Sequence, residues 1–148
     1  MYAWRRWVLR LYGAKLGDHV CIQRTARIES PWNLQMGRYS SIGEHAWIYS
    51  LAKINIGEFA MISQRAFLCT GTHDYTQPQM PLVAEPIIVG RGAWIAADVF
   101  VGPGITIGDN AVIGARSVVV RDMPANMVCV GHPCRPIKPR LPLTEQDK

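Results

Sequence analysis

The sequence predicts an all-β protein built as a parallel β-helix. Two observations carry this: a six-residue repeat from Val89 to Pro124, and the same repeat, stretched, from Leu16 onward. Read in sixes, the first stretch opens each unit with an aliphatic residue: Val89, Ile95, Val101, Ile107, Ile113 and Val119. The second position is Gly or Ala in five of these six units, with Val120 the exception. The fifth is small or aliphatic: Ala93, Val99, Ile105, Ala111, Ser117, Met123. Neither a helical period nor simple alternation gives that pattern. A hexapeptide repeat supplies one short strand and one turn per unit, and three units make a triangular coil. First-position side chains then point inward and stack on those one coil away, about 4.8 Å distant. The glycine is expected at the corner, where a backbone without Cβ adopts the turn conformation.

A chain of 148 residues fits one domain. Its hydrophobic content of 49% suffices for a continuous core, and 18% charged residues exclude a disordered composition. No run of 18 apolar residues exists to span a membrane. The start, Met1 to Tyr12, lacks the long apolar core and small-residue cleavage site of a signal peptide. A net charge of +5 suits a phosphorylated ligand and is too weak and too scattered for nucleic acid. Cys21, Cys69, Cys129 and Cys134 show neither a C-x-x-C pair nor zinc spacing. With Cys21 and Cys69 in repeat positions, buried free thiols in a reducing cytoplasm are expected, and no metal.

Residues 1–15 read as a short helix with Trp4, Trp7, Val8 and Leu11 on one face and Arg5, Arg6 and Arg10 mostly off it. It is expected to cap the open first coil; the alternative is a basic, aromatic helix at a membrane surface. The β-helix is expected over 16–123. Its early first-position residues fall in columns twenty apart, Leu16-Met36-Ile56, Ile22-Ile42-Ile62 and Ile28-Ile48-Leu68. Each early coil is therefore 18 residues plus a two-residue insertion, placed near Leu34-Gln35 and Ile54-Asn55. Residues 69–88, with Pro78, Pro81 and Pro86, break the period and read as an extruded loop, where chemistry is usually placed. The Pro-rich, basic tail 124–148 is expected to fold back on the last coil and to fray over its last eight or so residues.

The run from Pro86 to Pro124 resembles the hexapeptide O-acetyltransferases, such as the maltose and galactoside acetyltransferases. Pro31-Trp-Asn-Leu34 and Thr70-Gly-Thr-His-Asp-Tyr75 resemble more closely the colanic-acid-type exopolysaccharide acetyltransferases. The likeness covers residues from about 8 to 140. It implies a left-handed β-helix, a homotrimer with sites between subunits, and acetyl-CoA as co-substrate; general rules of chirality alone favour right-handed crossovers.

His73 matches the family's catalytic histidine, and chemistry supports the match. Acetyl transfer to a hydroxyl needs a proton acceptor, imidazole titrates near pH ~6.5, and His73 alone of the four histidines lies in the loop. Asp74 and Glu85 are candidates to orient its ring or, as substrate-binding residues, to touch the acceptor. By resemblance, the Ala97 N–H faces the thioester carbonyl, as a fixed oxyanion donor worth about 3 kcal/mol in comparable sites. Ala115 and Val120 match contacts to the pantetheine arm, Arg121 and Arg135 match basic residues at the coenzyme's nucleotide and phosphates, and Trp94 matches an aromatic residue beside the acceptor. Two positions depart from the family. Gly43 stands where maltose-type enzymes carry an acceptor-binding Asn, so the pocket is expected to use Glu44, His45 or Tyr49. Arg116 replaces the usual Gly of Gly-Ala-Gly-Ser and is expected to crowd or charge the coenzyme groove.

The expected function is transfer of an acetyl group to a sugar of an exopolysaccharide precursor, nucleotide-linked or lipid-linked. The expected setting is cytoplasmic, with weak association at the inner membrane face through the first helix. The alternatives are a non-catalytic β-helix that scaffolds or binds sugar, and a γ-type carbonic anhydrase. The latter needs three zinc histidines, two of them five apart, and His19, His45, His73 and His132 offer no such pair.

Overall fold

The computed structural model describes residues 2–141 and shows a left-handed parallel β-helix of three flat faces. A helix, α1 (Tyr2–Leu11), precedes it. The first coil runs through β1 (Lys15–Leu16), β2 (Cys21–Ile22) and β3 (Arg27–Ile28). The second uses β4 (Leu34–Met36), β5 (Ser41–Ile42) and β6 (Trp47–Tyr49), and the third β7 (Ile54–Ile56), β8 (Met61–Ile62) and β9 (Phe67–Cys69). A hairpin of β10 (Gly71–His73) and β11 (Leu82–Ala84) then leaves the coil. The coil resumes with β12 (Ile87–Val89), β13 (Trp94–Ile95) and β14 (Phe100–Val101), followed by β15 (Thr106–Ile107), β16 (Val112–Ile113) and β17 (Val118–Val119). Finally β18 (Met127–Gly131) stacks on the second face, and β19 (Cys134–Pro139) returns antiparallel along it.

The register follows the repeat. Leu16 pairs with Met36 and Met36 with Ile56, twenty apart; Trp94 pairs with Val112 and Phe100 with Val118, eighteen apart. The extra residues of the early coils lie just before the expected place, at the edge between third and first faces. There Pro31–Asn33 forms one 3-10 turn. Leu34 and Ile54 cannot be looped out, because both point inward and stack below Ile87. The same edge releases the hairpin, and the departure is shorter than the break in the repeat: Cys69 still pairs with Tyr49, and Ile87 already pairs with Ile54. The first-position residues form the core, as in the column Ile22, Ile42, Ile62, Ile95, Ile113 on the second face. Burying each such side chain stabilises by roughly 1.5–3 kcal/mol.

Glycine at the second position has a different cause from the one expected. Where a corner holds a left-handed residue it is the fourth, as in His19, Tyr39, Phe59, Asp98, Asn110 and Arg116 with φ between 55° and 61°. At the second position the next coil passes too close for a side chain. A Cβ on Gly37 would stand 2.5 Å from the Glu58 nitrogen, and one on Gly57 2.6 Å from that of Arg91.

The helix α1 lies on the first coil with its apolar pattern reversed. Leu9 is its buried residue, whereas Trp4 and Trp7 are 69% and 56% exposed and stack on each other. The arginines turn inward. Arg5 donates to the carbonyls of Arg24 and Ala26, Arg6 to that of Val20, and Arg10 to those of Leu16 and Gly17. The physical reason is that an open first coil presents unpaired backbone carbonyls, which need donors more than they need hydrocarbon. The helix ends earlier than expected, at Gly13 (φ 92°). The Gly13 N–H donates to Arg10 O and the Ala14 N–H to Leu9 O, closing a Schellman turn. Of the cysteines, Cys69, Cys129 and Cys134 are buried and free, and burial pushes the Cys129 thiol up to about 11. Cys21 faces outward and is only half-buried. Residues 142–148, expected to fray, lie outside the described residues.

Candidate functional site

The hairpin is held at its root by Thr70, which is fully buried. Its hydroxyl donates to Tyr49 O at 2.7 Å and accepts from the Ala52 N–H at 3.0 Å, and its carbonyl accepts from the Glu85 N–H. Gly71 then lies against the Tyr49 ring, where a Cβ would stand 2.9 Å from Cε1. From this base the strands pair Gly71 with Ala84, Thr72 with Val83 and His73 with Leu82. The segment read as an extruded loop leaves the coil as a two-stranded arm.

His73 projects from the end of β10, exposed, with Nδ1 2.7 Å from the Met80 carbonyl oxygen. A carbonyl only accepts, so Nδ1 carries the proton and the neutral ring keeps its lone pair on Nε2. Met80 itself has φ 41°, a left-handed conformation that a non-glycine residue holds only under constraint. Neither carboxylate expected to orient His73 does so. Asp74 accepts from the Thr76 N–H, the Thr76 hydroxyl and the Gln77 amide, and those bonds hold its carboxyl below the ordinary range. It locks the turn. The Glu85 carboxylate lies over the Gly104 corner, in the space a Cβ there would need.

The edge between the second and third faces carries the other part. Ala97 and Ala115 occupy the third position of successive coils on this edge. The Ala97 carbonyl accepts from the Arg116 N–H at 2.9 Å, while its own N–H meets no backbone carbonyl among the described residues. That leaves a fixed donor on a rigid corner. Beside it, Arg65 donates from Nε and Nη2 to the two oxygens of Asp98 at 2.7 and 2.8 Å. These bonds, then the charges of Arg65 and Arg116, lower the Asp98 pKa. Arg135 sits opposite Val130 on β19, farther along the same edge. Val120 and Arg121 are exposed on the hairpin edge instead, after β17.

Trp94 stands on the second face with Nε1 donating to Ser63 Oγ at 2.9 Å. Gly43 is required by packing: a Cβ would stand 2.7 Å from the Gln64 nitrogen. Of the residues expected to replace its missing side chain, Tyr49 lies at the hairpin root, whereas Glu44 and His45 lie on the Ala97 edge. The structure thus gathers His73, Asp74, Glu85 and Tyr49 at one edge and Ala97, Ala115 and Arg135 at another. Sequence reasoning missed the Met80 carbonyl and the Thr70 pin. A backbone acceptor leaves no side-chain signal, and a buried threonine at a loop root reads as an ordinary loop residue.

Comparison with known proteins agrees with the hexapeptide-repeat fold. Residues 86–121 match the family described as bacterial transferase hexapeptide (six repeats). WcaF of Escherichia coli K12, named as a colanic acid biosynthesis acetyltransferase, is 45% identical over 141 residues, covering 95% of this chain and 78% of its own. A maltose O-acetyltransferase from Clostridium difficile 630 superposes with a TM-score of 0.85 at 33% identity, covering 93% of this chain and 75% of that one. The hexapeptide-repeat acetyltransferase VCA0836 of Vibrio cholerae, in complex with acetyl coenzyme A, gives 0.88 at 26% identity, covering 95% and 78%.

Proposed function

This chain belongs to the bacterial hexapeptide-repeat acetyltransferases, and on that premise we propose that it acetylates a sugar hydroxyl of an exopolysaccharide precursor, with His73 as general base. One observation carries the assignment: the Nδ1 contact to Met80 O leaves Nε2 as the free proton acceptor of an exposed ring. Nε2 takes the proton of the sugar hydroxyl as its oxygen forms a bond to the thioester carbon. The Ala97 N–H donates to the oxyanion that develops. Collapse of the tetrahedral species breaks the carbon–sulfur bond, and the imidazolium returns its proton to the departing thiolate. Arg121 and Arg135 bind the nucleotide and phosphates of acetyl-CoA, with Ala115 and Val120 along the pantetheine arm and Trp94 near the acceptor.

The working unit in this reading is a homotrimer. Within one chain the base and the donor occupy different edges, separated by a third face whose outward column includes Trp47, Phe67 and Phe100, with Trp47 and Phe67 stacked at 4.5 Å. A neighbouring copy covering that face would bring one copy's hairpin to the other's Ala97 edge. Acetyl-CoA places the reaction in the cytoplasm. No helix among the described residues is long and apolar enough to cross a membrane. The outward tryptophans of α1 support weak contact with a lipid surface that bears a lipid-linked acceptor.

Incubation with acetyl-CoA, a thiol reagent and a panel of sugars tests the reaction. Coenzyme release should require a nucleotide-linked or lipid-linked sugar. Faster turnover of free maltose or galactosides would overturn the acceptor class, and release with no sugar acetylated would overturn the function. Sedimentation and assay at one concentration test the assembly, and fully active monomers would refute it.

A further inference from the structure

The turn Pro31-Trp-Asn-Leu34 carries no step of the proposed acetyl transfer. Its Trp32 ring is 63% exposed, yet the backbone beneath it is fixed twice. Asn33 Nδ2 donates to Ser50 O at 2.8 Å and to Leu51 O at 3.0 Å. Gly13 passes so close that a Cβ there would stand 2.9 Å from that of Trp32. Beside the indole lies a cavity of about 120 Å³, lined also by Lys15, Gln35, Lys53 and Asn55. Three of these are register partners on adjacent strands of the first face, Lys15 with Gln35 and Gln35 with Asn55. Among the described residues, none of these five side chains makes a hydrogen bond or an ion pair. Both charged groups of the lining are ammonium, and no carboxylate of the lining opposes them.

We propose that this cavity binds an anionic sugar residue, with the ring on Trp32 and its acidic group between Lys15 and Lys53. The cavity is smaller than the roughly 300–1,000 Å³ of sites that enclose a ligand, so it takes a charged substituent while the ring stays outside. Two ammonium groups brought to one cavity repel each other and are complementary to an anion. The negative face of an indole attracts the weakly positive C–H groups of a pyranose ring. Gln35 and Asn55 each offer one acceptor and two donors, which match adjacent hydroxyls. Those unbonded amides set the site apart from a lipid contact, because an acyl boundary would strip their water without replacing its hydrogen bonds. Lysine meets a carboxylate or a phosphate alike, as a point charge, so the acidic group can be either. The site adjoins the edge that releases the hairpin: the Ala52 N–H donates to the Thr70 hydroxyl, and the Lys53 carbonyl accepts from the Ile87 N–H.

Ligand-observed NMR titrations of glucuronate, glucose 1-phosphate, glucose and inorganic phosphate test the site without needing turnover. The variants are Trp32→Ala, which keeps the Cβ facing Gly13, and Lys53→Gln, at an exposed side chain that keeps the test valid if the first variant unfolds. The wild type should bind at least one sugar anion about tenfold more tightly than glucose or inorganic phosphate. Tighter glucuronate assigns the acidic group as a carboxylate; tighter glucose 1-phosphate assigns it as a phosphate. Each substitution should weaken that ligand about tenfold while the melting temperature holds. Inorganic phosphate bound as tightly as either sugar anion, with no loss in Trp32→Ala, overturns the sugar site. Weaker binding of Trp32→Ala to phosphatidylglycerol vesicles, with no sugar anion bound by the wild type, overturns it in favour of a membrane contact. A wild type whose sugar-anion binding neither substitution weakens overturns it as well. The acetyl-transfer reading stands in every case, because none of its steps uses these side chains.

Discussion

The hairpin edge and the Ala97 edge of the prism solve opposite problems. At the hairpin edge the coil is interrupted, and a two-stranded arm pinned by Thr70 carries His73, whose ring takes the proton in the proposed reaction. At the Ala97 edge the coil is uninterrupted from β13 to β16, and what it presents is backbone. A base needs reach and a free lone pair, which an arm provides. An oxyanion donor needs a dipole that does not move, which a corner stacked between coils provides. Each edge thus suits one half of the transfer and is poorly built for the other.

The comparison breaks most sharply at His73. His73→Ala should leave the fold and coenzyme binding intact and lower kcat by about 10²–10⁴; near-normal turnover at saturating acceptor would remove the general-base assignment. On the other edge, Ala97→Pro deletes the donor N–H and should lower kcat by about 10² with little change in the KM for acetyl-CoA. If kcat stayed within a few-fold in a variant whose circular dichroism was unchanged, the donor would lie elsewhere.

Arg121→Ala and Arg135→Ala test whether the two edges share one ligand. Each should raise the KM for acetyl-CoA far more than that for the sugar, in line with roughly 1.5–3 kcal/mol per charged contact. Equal rises for both substrates would return these residues to the acceptor or the fold. Gly43→Asn probes how tightly the Ala97 edge is stacked. Its Cβ meets the Gln64 backbone, and the chain should lose about 1–3 kcal/mol in thermal unfolding. Unchanged stability would contradict the close approach.

The smallest effect concerns Asp98, whose carboxyl is held below its ordinary 3.8 by Arg65. A depressed folded pKa contributes stability above the unfolded value and loses it as pH falls through the folded one. Asp98→Asn should therefore melt slightly below wild type at neutral pH and match it in acid. A gap that persisted under acid conditions would assign the difference to packing.

The sequence by itself determined the coil, because inward residues recur with the period of the backbone, so Ile22, Ile42, Ile62, Ile95 and Ile113 announce one column without any contact being known. It also singled out His73, since a histidine in the one long break of a regular repeat stands apart. Tertiary structure alone decided the rest. Glycine is needed at Gly37 and Gly57 because another coil passes there, and that neighbour is 21 and 34 residues away in the chain, at Glu58 and Arg91. The arginines of α1 turned inward because open carbonyls on the first coil called for donors, against the helix's apolar pattern. The partner of His73 is the carbonyl of Met80, which every residue type carries alike. Periodicity encodes burial along one chain direction; contacts between distant backbones carry no residue-specific mark, so only the folded coil brings them into view.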